Sequence, residues 1–192
     1  MSETTEKRTR KSNSAKSVDK TMVQDAPSAV ESVTSSTPKR KTRKSLPLDM
    51  EVSCVSAVPI GNLTYVSKRM QGLTLEWSEF GDEQSIELAE LQAMRNSAPT
   101  FFEQNWILID DDDVLKFLHA DRYYSAIKSL DDFYAVLEMS PSQIAEVVPK
   151  LSNGLKRALS VIALKQYQEG VFDSISKMRA LEMATGINIV ST

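Results

Sequence analysis

The feature that most constrains this chain is its opening. Residues 1–47 contain no aromatic side chain and almost no aliphatic periodicity, and they are rich in Ser, Thr and Lys. Ordering a backbone costs about 1–2 kcal/mol per residue, and such a segment has too little apolar surface to offset that cost. Residues 1–47 are therefore expected to form a disordered basic arm. The arm carries eleven Lys and Arg against five Asp and Glu, a net charge of +6, while residues 48–192 carry 12 basic and 21 acidic groups, a net charge of −9. The overall charge of −3 hides this division. Two segments of opposite sign attract different partners.

The remaining 145 residues suffice for one folded body. The longest apolar runs, Trp106–Ile109 and Val161–Leu164, fall far short of the roughly 18 residues of a membrane span. The chain also opens without an apolar h-region, so a secretory signal peptide and a membrane partner are not expected. One cysteine, Cys54, and one histidine, His119, form neither a disulfide nor a zinc cluster.

Alternation predicts a β-rich unit over residues 48–98. Val52, Cys54 and Ser56 share one face of a first strand, with Val55 and Ala57 on the other. Leu63 and Tyr65, then Leu73, Leu75 and Trp77, read as a hairpin closed by Ser67–Gly72. After a turn at Phe80–Glu83, Ser85–Leu88 alternates again, and Leu88, Leu91 and Met94 start a helix. Residues 99–192 read as mainly helical and packed against the first unit as one body. Phe101 and Phe102 fall in a short helix, Trp106–Ile109 in a strand or buried connector, and Val114–Leu118 in an amphipathic helix. Tyr123, Tyr124 and Ile127 are expected to open the next helix. Ser140–Gln143 is a capping box with proline at the first helical position, and Pro149 ends or bends that helix. Asn153–Gly154 is expected to be a break before a helix bearing Leu155, Ala158, Leu159, Ile162 and Ala163. With Val161, Leu164 and Tyr167 on its second side, this helix is expected at the buried centre. Gly170 closes it, Asp173 caps a last helix with Ile175, Met178 and Leu181, and Gly186 ends that helix before the tail 187–190. The fold class is α+β, a small antiparallel hairpin-based sheet followed by a C-terminal helical cluster.

No constellation of residues points to catalysis, a cofactor or a metal. Asp110–Asp113 offers carboxylates to a hard cation, but acids in a first helical turn also satisfy free N–H groups and the positive end of the dipole. The EF-hand pattern is missing, so capping is the expected role. Glu76, Glu79, Asp82, Glu83 and Glu87 beside Trp77 and Phe80 read as a solvated rim. His119 is expected at a helix C-terminus, and Cys54 as a small buried hydrophobe. The glycines match no phosphate-cradling spacing.

The sites proposed from sequence are two basic clusters of the arm, Lys7, Arg8, Arg10 and Lys11, then Lys39, Arg40, Lys41, Arg43 and Lys44. Such clusters neutralise phosphates without reading sequence, and with no interleaved aromatics they do not stack on bases. A targeting address and a solubilising tether are the other readings.

Three motifs carry a resemblance: Leu63–Arg69, then Glu76–Gln84 (EWSEFGDEQ), then Phe101–Ile107 (FFEQNWI), with an ending from Asp173 to Gly186. Together they resemble small proteins of tailed bacteriophages of Gram-positive hosts, over residues 52–190. The chain departs from that pattern at Met70–Gly72, and the arm has no counterpart in it. The resemblance implies a virion or accessory protein, since such proteins often accompany virion structural genes. Its partners would be other virion subunits, or a second copy of the chain, and it would reside in the virion or the host-cell cytoplasm. The alternative is a nucleic-acid-binding regulator using the arm and a C-terminal helix-turn-helix. Against it, Lys156, Arg157, Lys165, Lys177 and Arg179 are dispersed.

Overall fold

Alternation of side chains along one strand lets β1 (Glu51–Ser56) serve two cores at once. Val52 and Cys54 point into one cluster of buried side chains, while Val55 and the following Ala57 face a second. The computed structural model describes residues 46–172 and 174–189. The hairpin follows, with β2 (Leu63–Val66) and β3 (Thr74–Trp77) pairing antiparallel so that Leu63 lies opposite Trp77. β4 (Glu83–Glu87) then pairs antiparallel with β1, setting Val52 against Ile86.

The sheet-forming half runs directly into helix. α1 (Leu88–Ser97) buries Leu88, Glu90, Leu91 and Met94, and α2 (Thr100–Glu103) buries Phe101 and Phe102. The chain then returns as β5 (Ile107–Leu108), the other neighbour of β1, giving a three-stranded sheet of order β4-β1-β5 beside the two-stranded hairpin. Ile107 and Leu108 divide between the two cores as the residues of β1 do. The sheet is thus the wall that both cores share.

α3 (Asp112–Phe117) follows, then a single 3-10 turn at Asp121–Tyr123. The helix expected from Tyr123 starts later, as α4 (Leu130–Glu138). Ser129 and Asp132 form a reciprocal capping box there, and such a cap overrides the apolar spacing upstream. α5 (Pro141–Val147) has the expected Ser140–Gln143 box, and Pro149 turns its end into a 3-10 turn. In α6 (Asn153–Gln168) the N-cap is Ser152, so Asn153 and Gly154 lie inside the first turn rather than forming a break. Close approach explains the glycine: a Cβ on Gly154 would come within 2.0 Å of the Gln104 carbonyl oxygen.

The second side of α6 is less buried than expected. Leu155, Ala158, Leu159, Ile162 and Ala163 are buried, but Val161 and Leu164 are partly covered and Tyr167 is 41% exposed. α7 (Ile175–Thr185) buries Met178 and Leu181, and its N-cap is Ser174, whose hydroxyl accepts from the Lys177 N–H. The expected cap, Asp173, lies outside the described residues, as does Val190 of the tail. Gly186 ends α7 in the left-handed conformation, φ +72°. The architecture is α+β: strands and short helices, then a helical cluster. Among the described residues no helix is long and apolar enough to cross a membrane.

Candidate functional site

The nine basic residues of the two arm clusters, Lys7, Arg8, Arg10, Lys11, Lys39, Arg40, Lys41, Arg43 and Lys44, all lie outside the described residues. The sites that the structure does describe belong to the acidic body.

Asp110–Asp113 resolves into a helix start. Asp111 is the N-cap of α3, its Oδ1 accepting from the N–H groups of Asp113 (2.9 Å) and Val114 (3.0 Å). Asp112 turns instead to Lys128, Nζ to Oδ1 2.7 Å, linking α3 to the approach to α4. That hydrogen bond holds the Asp112 carboxyl below the ordinary carboxylate range and the Lys128 ammonium above its own. Among the described residues no group of three or more His, Cys, Asp or Glu is placed to hold a metal ion. Capping and pairing thus account for Asp111 and Asp112. A groove of about 380 Å³ lies beside this start, floored by Glu51, Ser53 and Val55 and walled by Asp110, Asp111 and Lys128–Asp131.

His119 follows Leu118, the C-cap of α3, at φ +53°. Its N–H donates to the Lys116 carbonyl and that of Ala120 to the Leu115 carbonyl, a Schellman motif with histidine where glycine is usual. Asn105 ends α2 in the same way at φ +51°, with Trp106 N–H reaching back to Phe101 O. Cys54 is fully buried, and burial pushes its thiol far above its ordinary range. That is the behaviour of an inert core residue rather than a nucleophile.

Trp77 is fully buried and donates its indole N–H to the Cys54 carbonyl, 2.9 Å, tying the hairpin to the three-stranded sheet. Of the five acids expected to form a solvated rim, Glu76, Glu79 and Glu83 are exposed, whereas Asp82 and Glu87 are half-buried, Asp82 accepting from the Ser78 N–H and Glu87 pairing with Arg69. Trp106 departs from its expected burial. It is only partly covered, because it lies at the margin of a groove of about 350 Å³ lined by Ala57–Ile60, Leu63, Gly154 and Arg157.

Two buried polar groups were not anticipated from sequence. Glu90, 2% exposed in the first turn of α1, accepts from Tyr65 Oη (3.1 Å) and Arg69 Nε (3.2 Å), while Arg69 Nη2 reaches Glu87 at 2.6 Å. The only sequence signal is that position 90 stands four residues before Met94, on the margin of the buried stripe. Asn105 is 1% exposed; its Nδ2 donates to the Tyr123 carbonyl at 3.0 Å, and its Oδ1 is buried without a partner. Asparagine after a short helix is a signal for the left-handed position, and it carries no information about the orphaned oxygen.

No family model matches the chain, and no curated protein and no solved structure is significantly similar to it.

Proposed function

We propose that this chain is a non-enzymatic interaction protein, a structural or accessory component of a bacteriophage particle. Its basic N-terminal segment contacts nucleic acid or another polyanion, and its acidic body contacts protein subunits. The observation that carries the reading is the charge division, +6 over residues 1–47 against −9 over residues 48–192. Phosphate is attracted by the first and repelled by the second. The motif resemblance over residues 52–190 supports the particle context.

The test is a salt titration of DNA and RNA binding by the full chain and by a chain starting at Leu48. The full chain binds both nucleic acids without sequence preference, and its affinity falls linearly on logarithmic axes, by a slope of about −0.9 for each duplex phosphate neutralised. The chain starting at Leu48 does not bind. Sequence-selective binding by that shorter chain would replace this reading with the helix-turn-helix one. Lys177 already weighs against that alternative, because its ammonium is spent on the Leu137 and Glu138 carbonyls and lies over the Phe172 ring.

A further inference from the structure

One edge of β1 is left open. Its even-numbered residues turn their backbone groups toward β4, since the Leu88 N–H donates to Met50 O and the Ser56 N–H to Asp82 O. The odd-numbered ones turn the other way, where the Ala57 N–H donates to Trp106 O and Val55 pairs with Leu108. β5 ends there, so among the described residues no strand covers Glu51 and Ser53 on that side. The chain peels away through Asp110 and Asp111, and the groove of about 380 Å³ lies between this wall and the open edge. We propose that the groove takes an extended segment of a partner protein, with Lys or Arg at alternate positions, which adds to β1 as a strand. The assignment rests on the proposed contact of the body with protein subunits and names the kind of segment recognised.

The backbone sets the first requirement. Glu51 and Ser53 each turn an N–H and a C=O into the groove, and an extended segment satisfies both, as β5 does at Val55. From Glu51 to Val55 the edge runs about 13 Å, the length of a five-residue strand.

Charge sets the second. Glu51, Asp110, Asp111 and Asp131 line the groove against one cation, Lys128, whose ammonium is bound to Asp112 at 2.7 Å. Asp112 chiefly, with Asp110 and Asp132 behind it, holds that ammonium above its ordinary range. Phosphate and acidic segments are repelled from such a place. Beneath the carboxylates the lining is apolar, with Val55, Leu108 and Leu130 all packed in the second core. Alternate side chains of an added strand share one face. Lys or Arg at every second position therefore lays its stem over the apolar floor and brings its charge to the carboxylates.

The test is a titration of the full chain with an acetylated and amidated peptide, Lys-Val-Lys-Val-Lys, followed by ¹⁵N–¹H correlation spectra without particles or nucleic acid. One control has glutamate in place of lysine, and another has N-methylated backbone amides, which keep the charge and lose the edge donors. The lysine peptide is expected to shift the Glu51 and Ser53 N–H signals in a saturable way, and each control to bind at least about tenfold more weakly. Asp110→Asn together with Asp131→Asn, both at exposed positions, is expected to weaken the lysine peptide by a similar factor. The proposal is overturned by the absence of a saturable shift, by equal binding of the N-methylated peptide, or by unchanged affinity in the double variant. It is overturned too if the groove has another occupant. Tighter peptide binding by the full chain bearing Lys39→Gln, Arg40→Gln, Lys41→Gln, Arg43→Gln and Lys44→Gln would assign the groove to the chain's own basic cluster. A dimer of the full chain that the peptide dissociates would assign it to a second copy. Failure of the peptide leaves the particle reading to its own test by co-sedimentation, and absence from particles leaves the measured affinity for a basic strand unchanged.

Discussion

The two cores on either side of the three-stranded sheet are held by different means. The core beneath the hairpin is fastened by buried polar contacts: Trp77 to Cys54 O, Tyr124 Oη to Ile107 O at 2.8 Å, and Tyr65 with Arg69 on Glu90. The core of the C-terminal helices is apolar, aliphatic side chains with Phe133 and Phe172 among them, and its helices are set by caps at Ser129, Ser140, Ser152 and Ser174. Its outer side leaves Val171 and Met183 72% and 88% exposed. Buried hydrogen bonds specify one arrangement at high cost if broken, whereas caps contribute locally and fail locally. Damage to the first core should therefore be global, and damage to a cap in the second graded.

The largest expected effect is in the polar-locked core. Trp77→Ala removes a fully buried ring and the N–H that ties the hairpin down, and should cost about 3–5 kcal/mol in chemical denaturation, enough to unfold a marginal domain. A soluble, cooperatively folding variant of near-native stability would break the contrast. At the seam, Gly154→Ala drives a Cβ into the Gln104 carbonyl. The clash should outweigh the helical preference for alanine, worth about 1 kcal/mol, and destabilise by about 1–3 kcal/mol; a more stable variant would show that α6 stands off from α2. In the capped core, Ser140→Ala should cost only about 1 kcal/mol and leave the unfolding transition single.

The smallest effect at neutral pH is one that alkali reveals. Burial raises the Tyr65 and Tyr124 hydroxyls above their ordinary value of 10.0 and the Cys54 thiol above 9.0. The folded state thus holds these protons more tightly than the unfolded chain. Their contribution is fully present below those ordinary values and is lost as pH rises through the folded ones. All three side chains belong to the hairpin-side core. An alkaline denaturation followed by Trp77 fluorescence should therefore report the collapse, and Tyr124→Phe should reduce its steepness. An unchanged pH profile in Tyr124→Phe would remove that residue from the account.

How much of this was legible in the sequence follows from the range of the forces involved. Strand alternation, the hairpin and the Ser140–Gln143 box are local patterns, and β1–β4, α1 and α5 form where those patterns predict. The α4 start lies later than expected because Tyr123, Tyr124 and Ile127 mimic a helical stripe, although Tyr124 and Ile127 are buried from non-helical backbone and Tyr123 is only half-buried. Gly154 was misread as a breaker because its reason, the Gln104 carbonyl fifty residues earlier, is not local. The same holds for Glu90, whose partners Tyr65 and Arg69 come from the hairpin, and for Trp106, left half-covered at the edge of a groove. The charge clusters are composition and visible in the chain, whereas the pocket beside Asn105 joins three separate segments and has no sequence signature.

The central claim, that the folded body recognises protein while the basic segment supplies attraction to polyanions, is tested most directly by co-sedimentation with purified phage particles. The full chain and the chain starting at Leu48 are each mixed with particles at high salt, and the pellets are analysed by mass spectrometry. The account predicts that both chains pellet with particles, since high salt screens the basic segment and leaves recognition by the body. Loss of the shorter chain from the pellet, or absence of the native protein from particles, would contradict it.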